Sequence, residues 1–127
     1  MYKILLVEDD TFLSKMYYTK LSREEGWSVE AVETGRRALE AIKKTAPDLV
    51  LLDIILPDIN GVQLLKTIRQ DPNLKETPVL MLTNLNDKDY IGEALQLGVE
   101  GYLIKAHFTP NEVVDKIRQI LRSKEKK

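Results

Sequence analysis

The sequence predicts an α/β domain in which five βα units build a parallel, doubly wound sheet. Short continuous apolar runs alternate with stretches of helical spacing five times along the 127 residues, as strands and helices in turn do. Most of these runs lack the apolar-polar alternation of a half-exposed strand, so they suit strands covered on both faces. Glycines and prolines fall where helices should stop and strands begin.

The first strand is Ile4-Leu5-Leu6-Val7, and a helix over about 11–25 follows, closed at Gly26 by a left-handed residue. Residues 28–32 mix Val29, Ala31 and Val32 with Glu30, which suits an edge strand. The second helix covers about 35–45, and Pro47 takes the chain out of it into Leu49-Val50-Leu51-Leu52. A third helix over about 61–70 leads past Pro78 into Val79-Leu80-Met81-Leu82, and a fourth over about 87–97 ends at Gly98. Tyr102-Leu103-Ile104 is the last strand. Thr109-Pro110-Asn111-Glu112 then opens the final helix, about 109–122, with an N-cap threonine, proline at the first helical position and a capping-box glutamate. Five units of this kind commonly order their strands 2-1-3-4-5, the flavodoxin-like (βα)5 arrangement. Ser123-Lys124-Glu125-Lys126-Lys127 reads as a charged, frayed tail. The expected organisation is one domain over 1–122, that tail, and no output domain.

A 14.6 kDa chain of 43% hydrophobic and 31% charged residues is an ordinary globular composition. Its 19 Lys and Arg nearly cancel its 20 Asp and Glu, so no basic field favours nucleic acid or anionic membrane. Neither is an expected direct partner. The absence of cysteine excludes disulfides and thiolate metal sites. No apolar stretch reaches the ~20 residues that span a bilayer, and no secretory signal is apparent. A cytoplasmic location is expected.

In doubly wound sheets, ligands bind beyond the carboxyl ends of the strands, where strand order reverses. Here the first strand runs into Glu8-Asp9-Asp10, the third ends on Asp53, the fourth on Thr83 and the fifth on Lys105. With the first and third strands adjacent, Glu8, Asp9 and Asp53 are expected within a few ångströms of one another. Clustered carboxylates call for a cation or a proton. An all-oxygen donor set favours Mg²⁺, with Mn²⁺ as a substitute. An ionised Asp53 could attack phosphorus, while Lys105 and the metal offset charge on the phosphoryl oxygens and the Thr83 hydroxyl donates to one of them.

The pattern resembles the receiver domain of two-component response regulators, in extent the single-domain chemotaxis regulator. The resemblance rests on Glu8 and Asp9 after the first strand, Asp53 followed by Leu56-Pro57 and Asn60-Gly61, Thr83, and Gly101-Tyr102-Leu103-Ile104-Lys105. It implies that Asp53 is the phosphoacceptor, supplied by a sensor histidine kinase, a histidine phosphotransfer protein or a small phosphodonor. It implies metal ligation by Asp9, Asp53 and the Ile55 backbone carbonyl, with Glu8 acting through a metal-bound water. It further implies phosphate contacts from Thr83, the Asn84 backbone and Lys105, and a Thr83–Tyr102 switch. The signal would leave through the face of the fourth helix, fifth strand and fifth helix, from a monomer or a phosphorylated dimer. No catalysis is expected beyond assistance to its own phosphorylation and dephosphorylation.

Two departures stand out. The family usually has proline after the lysine, whereas this chain reads Lys105-Ala106-His107-Phe108, one residue longer before the aromatic. A trans peptide and a rerouted loop are expected, because a non-proline cis bond costs ~2.5–4 kcal/mol. The residue after Thr83 is usually small but is Asn84 here, and its bulk is expected to narrow the phosphate's approach. Apolar Ile55 and Leu85, at positions that in the family influence attack by water, point to a long-lived phosphoryl form.

Simpler readings cover single residues. Asp9 or Asp10 could cap the first helix, and Asp58-Ile59-Asn60-Gly61 reads as turn and helix-entry chemistry. His107 reads as simply exposed and Trp27 as core or rim packing. A haloacid-dehalogenase-type phosphatase would need a second Asp where Ile55 stands. Glu8-Asp9-Asp10 would repel the phosphate of a flavodoxin-like cofactor carrier. The remaining rival is an adaptor with the fold but no phosphorylation.

Overall fold

A computed structural model describes residues 1–125. Strands β1 (Tyr2–Val7), β2 (Trp27–Val32), β3 (Leu49–Leu52), β4 (Val79–Thr83) and β5 (Gly101–Ile104) alternate with helices α1 (Thr11–Ser22), α2 (Gly35–Thr45), α3 (Gly61–Gln70), α4 (Lys88–Gln96) and α5 (Pro110–Glu125). All strand pairs are parallel, in the expected order β2-β1-β3-β4-β5. The sheet's two faces are separate cores. Ile4, Leu6, Leu49, Leu51, Leu80 and Leu82 pack with α1 and α5, and Leu5, Val7, Val50, Leu52, Val79 and Met81 with α2, α3 and α4. Successive strand residues face opposite sides, which is why Ile4–Val7 of β1 and all of β3 are apolar. Every residue of β3 is 0% exposed. β2 sits at one edge, as its mixed composition suggests, and buries fully only Val32.

Gly26 and Gly98 adopt φ of +83° and +77°, so the left-handed turns expected there are present. Helix α1 stops at Ser22, three residues earlier than its apolar spacing suggests, because a turn at Arg23 to Gly26 already leads into β2. Ala46 ends α2 at φ +46° without the help of glycine, and Pro47 follows it. The capping box is reciprocal: Glu112 accepts from Thr109 N–H at 2.8 Å and Thr109 Oγ1 from Glu112 N–H at 3.2 Å. The frayed tail expected from Ser123 is not present at Ser123, Lys124 or Glu125. Helix α5 continues to Glu125, and Lys124 reaches Glu100 at 3.0 Å, since Lys and Glu are good helix formers and a cation suits a helix C-terminus. Lys126 and Lys127 lie outside the described residues. No helix among the described residues is long and apolar enough to cross a membrane.

Candidate functional site

The carboxyl edge of the sheet is fixed by backbone pairing. Glu8 N–H donates to Val32 carbonyl (3.0 Å) and Asp53 N–H to Val7 carbonyl (3.2 Å), which sets the two acids side by side just past β1 and β3. Both are buried, at 2% and 6% exposure, as is Thr83 at 0%. Lys105 leaves β5 and points back between them. Its Nζ donates to Asp53 Oδ2 at 2.8 Å and to Glu8 Oε1, and its side chain is 8% exposed.

Burial and the neighbouring charges together set the titration behaviour. Burial pushes Glu8 above its ordinary value, and the hydrogen bond from Lys105 only partly offsets this. Burial works to lower Lys105, but its hydrogen bonds to Asp53 and Glu8 outweigh that and hold it high. Both shifts favour the protonated form: burial dominates at Glu8, and at Lys105 the two carboxylate partners together outweigh burial. The same field reaches Tyr17 on α1, which is buried and raised chiefly by desolvation, with Glu8 and Asp53 adding to the rise. Nothing in the local sequence marks Tyr17, since only the α1 packing brings its ring there.

The three-carboxylate cluster expected from the sequence is not gathered. Among the described residues no three His, Cys, Asp or Glu side chains form a ready metal site. Lys105 takes the central place between Glu8 and Asp53, and Asp9 lies exposed at the strand end. Asp10 is the N-cap of α1, accepting from Leu13 N–H at 2.9 Å, and its own N–H donates to Glu8 Oε2 at 3.1 Å. The capping reading therefore accounts for Asp10 and leaves Glu8 and Asp9 free for other roles. The donor set nonetheless fits a hard cation: the acids outnumber the ammonium, and all their donors are oxygens. Ile55 N–H donates to Asp53 Oδ1 at 3.2 Å, while Ile55 as a residue is 59% exposed.

The loop after Asp53 is bolted down by residues that sequence reading assigned to turns. Gly61 lies so close beneath Asp53 that a Cβ would stand 2.2 Å from the Asp53 carbonyl oxygen. Asn60 caps α3 through Val62 N–H at 2.7 Å. Asp58 caps a different helix, α2, accepting from Gly35 N–H (2.8 Å) and Arg36 N–H (3.0 Å). Those two bonds hold its carboxyl below the ordinary range.

On the other side, Thr83 Oγ1 accepts from Leu85 N–H at 3.3 Å, and Tyr102 Oη donates to Leu85 carbonyl at 2.6 Å. Burial, with the charges of Asp53 and Asp87, pushes Tyr102 up to about 12. Its hydroxyl is thus already turned into the β4–α4 loop rather than waiting outside it. Lys105–His107 form one 3₁₀ turn, no peptide among the described residues is cis, and Phe108 packs against the α1/α5 core, so the trans link expected after Lys105 is present. Ala106 N–H donates to Asn84 Oδ1 at 3.0 Å. His107 is exposed, as expected.

A doubly wound domain with buried acids, a lysine and a threonine at its switch point defines a class of phosphate-handling α/β signalling modules. Residues 4–118 match the response regulator receiver domain, and the chain belongs to that family, the receivers of two-component systems. It is 37% identical over 120 residues to the DNA-binding response regulator MtrA of Mycobacterium tuberculosis, covering 94% of this chain and 50% of that protein. The chain spans about half the length of the curated relatives it matches. A CheY-like receiver domain protein from Methanospirillum hungatei superposes with a TM-score of 0.90 at 28% identity, covering 99% of this chain and 98% of that one. The Mn²⁺-bound form of response regulator Rcp1 superposes at 0.78 and 28% identity, covering 97% and 93%.

Proposed function

We propose that this chain is a phosphorylation switch in which Asp53 accepts a phosphoryl group, from the phosphohistidine of a kinase or phosphotransfer protein or from a small acyl phosphate. The observation that carries the reading is the Asp53 carboxylate, buried at the switch point with Lys105 Nζ 2.8 Å from Oδ2. Asp53 Oδ attacks phosphorus, the bond to the donor's leaving group breaks with its electron pair, and the phosphoryl group is left on Asp53. Lys105 offsets charge on the phosphoryl oxygens and the Thr83 hydroxyl donates to one of them, with the Asn84 backbone N–H beside it. Glu8, Asp9, Asp53 and the Ile55 carbonyl are the residues that would hold Mg²⁺, directly or through water. When bound, the metal supplies charge neutralisation of the phosphoryl oxygens. The Mn²⁺-bound relative supports a divalent cation in a domain of this fold.

Thr83 and Tyr102 both engage Leu85, so a Thr83 hydroxyl drawn to a phosphoryl oxygen releases Leu85 N–H and resets the loop that Tyr102 holds. The α4–β5–α5 face then shifts between two populations and reports to a protein partner. Gly92 inside α4, with open space around it, weakens that helix by up to ~1 kcal/mol relative to Ala. The domain extends through α5, works in the cytoplasm, and binds neither nucleic acid nor membrane itself. Intact mass after acetyl phosphate treatment, with and without Mg²⁺, tests this: one phosphoryl gain is expected that needs both the metal and Asp53. A gain that persists in Asp53→Ala would put the phosphoryl group on another residue and refute the reading, and no gain with donor and cognate kinase alike would move the adaptor reading to first place.

A further inference from the structure

The two departures from the family pattern touch each other. β4 and β5 are last paired at Thr83 and Ile104, and beyond them the strands part. Asn84 Oδ1 then accepts the Ala106 N–H at 3.0 Å. The side-chain amide extends the link between β4 and β5 past their final pair. Both residue types are required. Proline at 106 would have no N–H to give, and a small apolar residue at 84 would have no acceptor. Between the paired Lys105 side chain and Phe108 on the core, the turn itself has little else to fix it, since Ala106 and His107 are exposed and the Phe108 N–H closes on Lys105 carbonyl at a long 3.3 Å. Lys105 is the residue immediately before the held N–H, and its ammonium sits between Glu8 and Asp53.

We propose that the Asn84 side chain is a positioning residue for Lys105: through the Ala106 amide it holds the turn that aims the ammonium at Asp53. The inference rests on the phosphoacceptor reading and adds a role that the Asn84 backbone does not have. Asn84 is exposed, so its replacement leaves the core intact.

The test is the rate of phosphorylation by acetyl phosphate with Mg²⁺ across a cycle of Asn84→Ala, Ala106→Pro and the double variant, with Ala106→Gly as the control that keeps the N–H. Asn84→Ala is expected to lower the maximal rate about fivefold, about 1 kcal/mol and the size of one hydrogen bond, with the half-saturating donor concentration unchanged. Ala106→Gly should stay within about twofold of the parent, and Asn84→Ala should cost nothing further once Ala106 is proline. A drop of equal size in both backgrounds, or one confined to half-saturation, would overturn the proposal. Amide exchange separates it from the reading beneath it. In the unphosphorylated protein, Asn84→Ala should speed Ala106 N–H exchange about tenfold and broaden the Lys105 ammonium resonance. If the parent takes up no phosphoryl group, the functional reading fails while these two signals still decide whether Asn84 positions Lys105. Unchanged signals overturn the positioning role.

Discussion

Lys105→Met tests the charge arithmetic of the site directly. Methionine keeps most of the aliphatic stem, so packing is largely retained and the change removes the ammonium. The side chains of Lys105, Glu8 and Asp53 are 8%, 3% and 8% exposed. Stripping one partner from an ion pair this buried costs ~3–5 kcal/mol, because the remaining charge is left without compensation. Glu8 has an escape, since it can take up a proton. Burial already raises its pKa in the folded state, and Lys105 is what restrains the rise. Without Lys105 the folded pKa climbs further above the unfolded value, so between the two the folded state binds more protons and stability falls as pH rises. The loss relative to the parent is therefore largest, about 3 kcal/mol, at pH 8, and smaller by about 1–2 kcal/mol at pH 5, closer to the range in which Glu8 takes up its proton. Urea denaturation at both values without divalent cation measures it. Adding Glu8→Gln to Lys105→Met should recover much of the loss at pH 8. An equal loss at pH 5 and 8, unrelieved in the double variant, would refute the shared-ammonium account.

Four further outcomes are expected. Gly61→Ala drives a Cβ to within 2.2 Å of the Asp53 carbonyl oxygen, so thermal unfolding should show a loss of about 2–4 kcal/mol together with slower phosphorylation. Arg69 donates to the carbonyls of Leu97 (2.6 Å), Gly98 (3.3 Å), Lys75 (3.0 Å) and Thr77 (2.8 Å), and Arg69→Met should cost about 2–3 kcal/mol in urea. Asp58, held below its ordinary 3.8 by the α2 amides, contributes stability above that value that is lost as pH falls through its folded pKa; Asp58→Asn should flatten the acid limb of the stability curve. The phosphoryl form should last minutes rather than seconds in intact-mass time courses, and Ile55→Asn should shorten its life by giving water a polar partner beside Asp53.

How much of this was legible in the sequence follows the range of the interactions. Apolar runs, glycine turns and the Thr109 capping box are local, so strands, helices and the edge position of β2 could be read directly. Strand order then brought Glu8 and Asp53 together. Contacts set by loop trajectories could not be read that way. Asp58 looks like turn chemistry from its neighbours, yet its partners are 22 and 23 residues away. The Lys105 ammonium, expected to face a phosphoryl group, first neutralises the acids around it. Asp9 and Asp10 are indistinguishable in sequence, and only the start of α1 makes Asp10 the cap.

The same distinction explains the loop after Lys105. Taken one at a time, Ala106 forfeits a rigid turn and Asn84 crowds the phosphate's approach, so each reads as a loss. Their hydrogen bond makes them complementary. An N–H that proline lacks meets an acceptor that a small residue lacks, and a trans link can then hold the lysine. Replacing either residue alone with the family's usual one should therefore weaken the lysine's hold, and replacing both should weaken it no further than losing the one bond they share. That non-additivity is one that no account treating the two positions independently predicts.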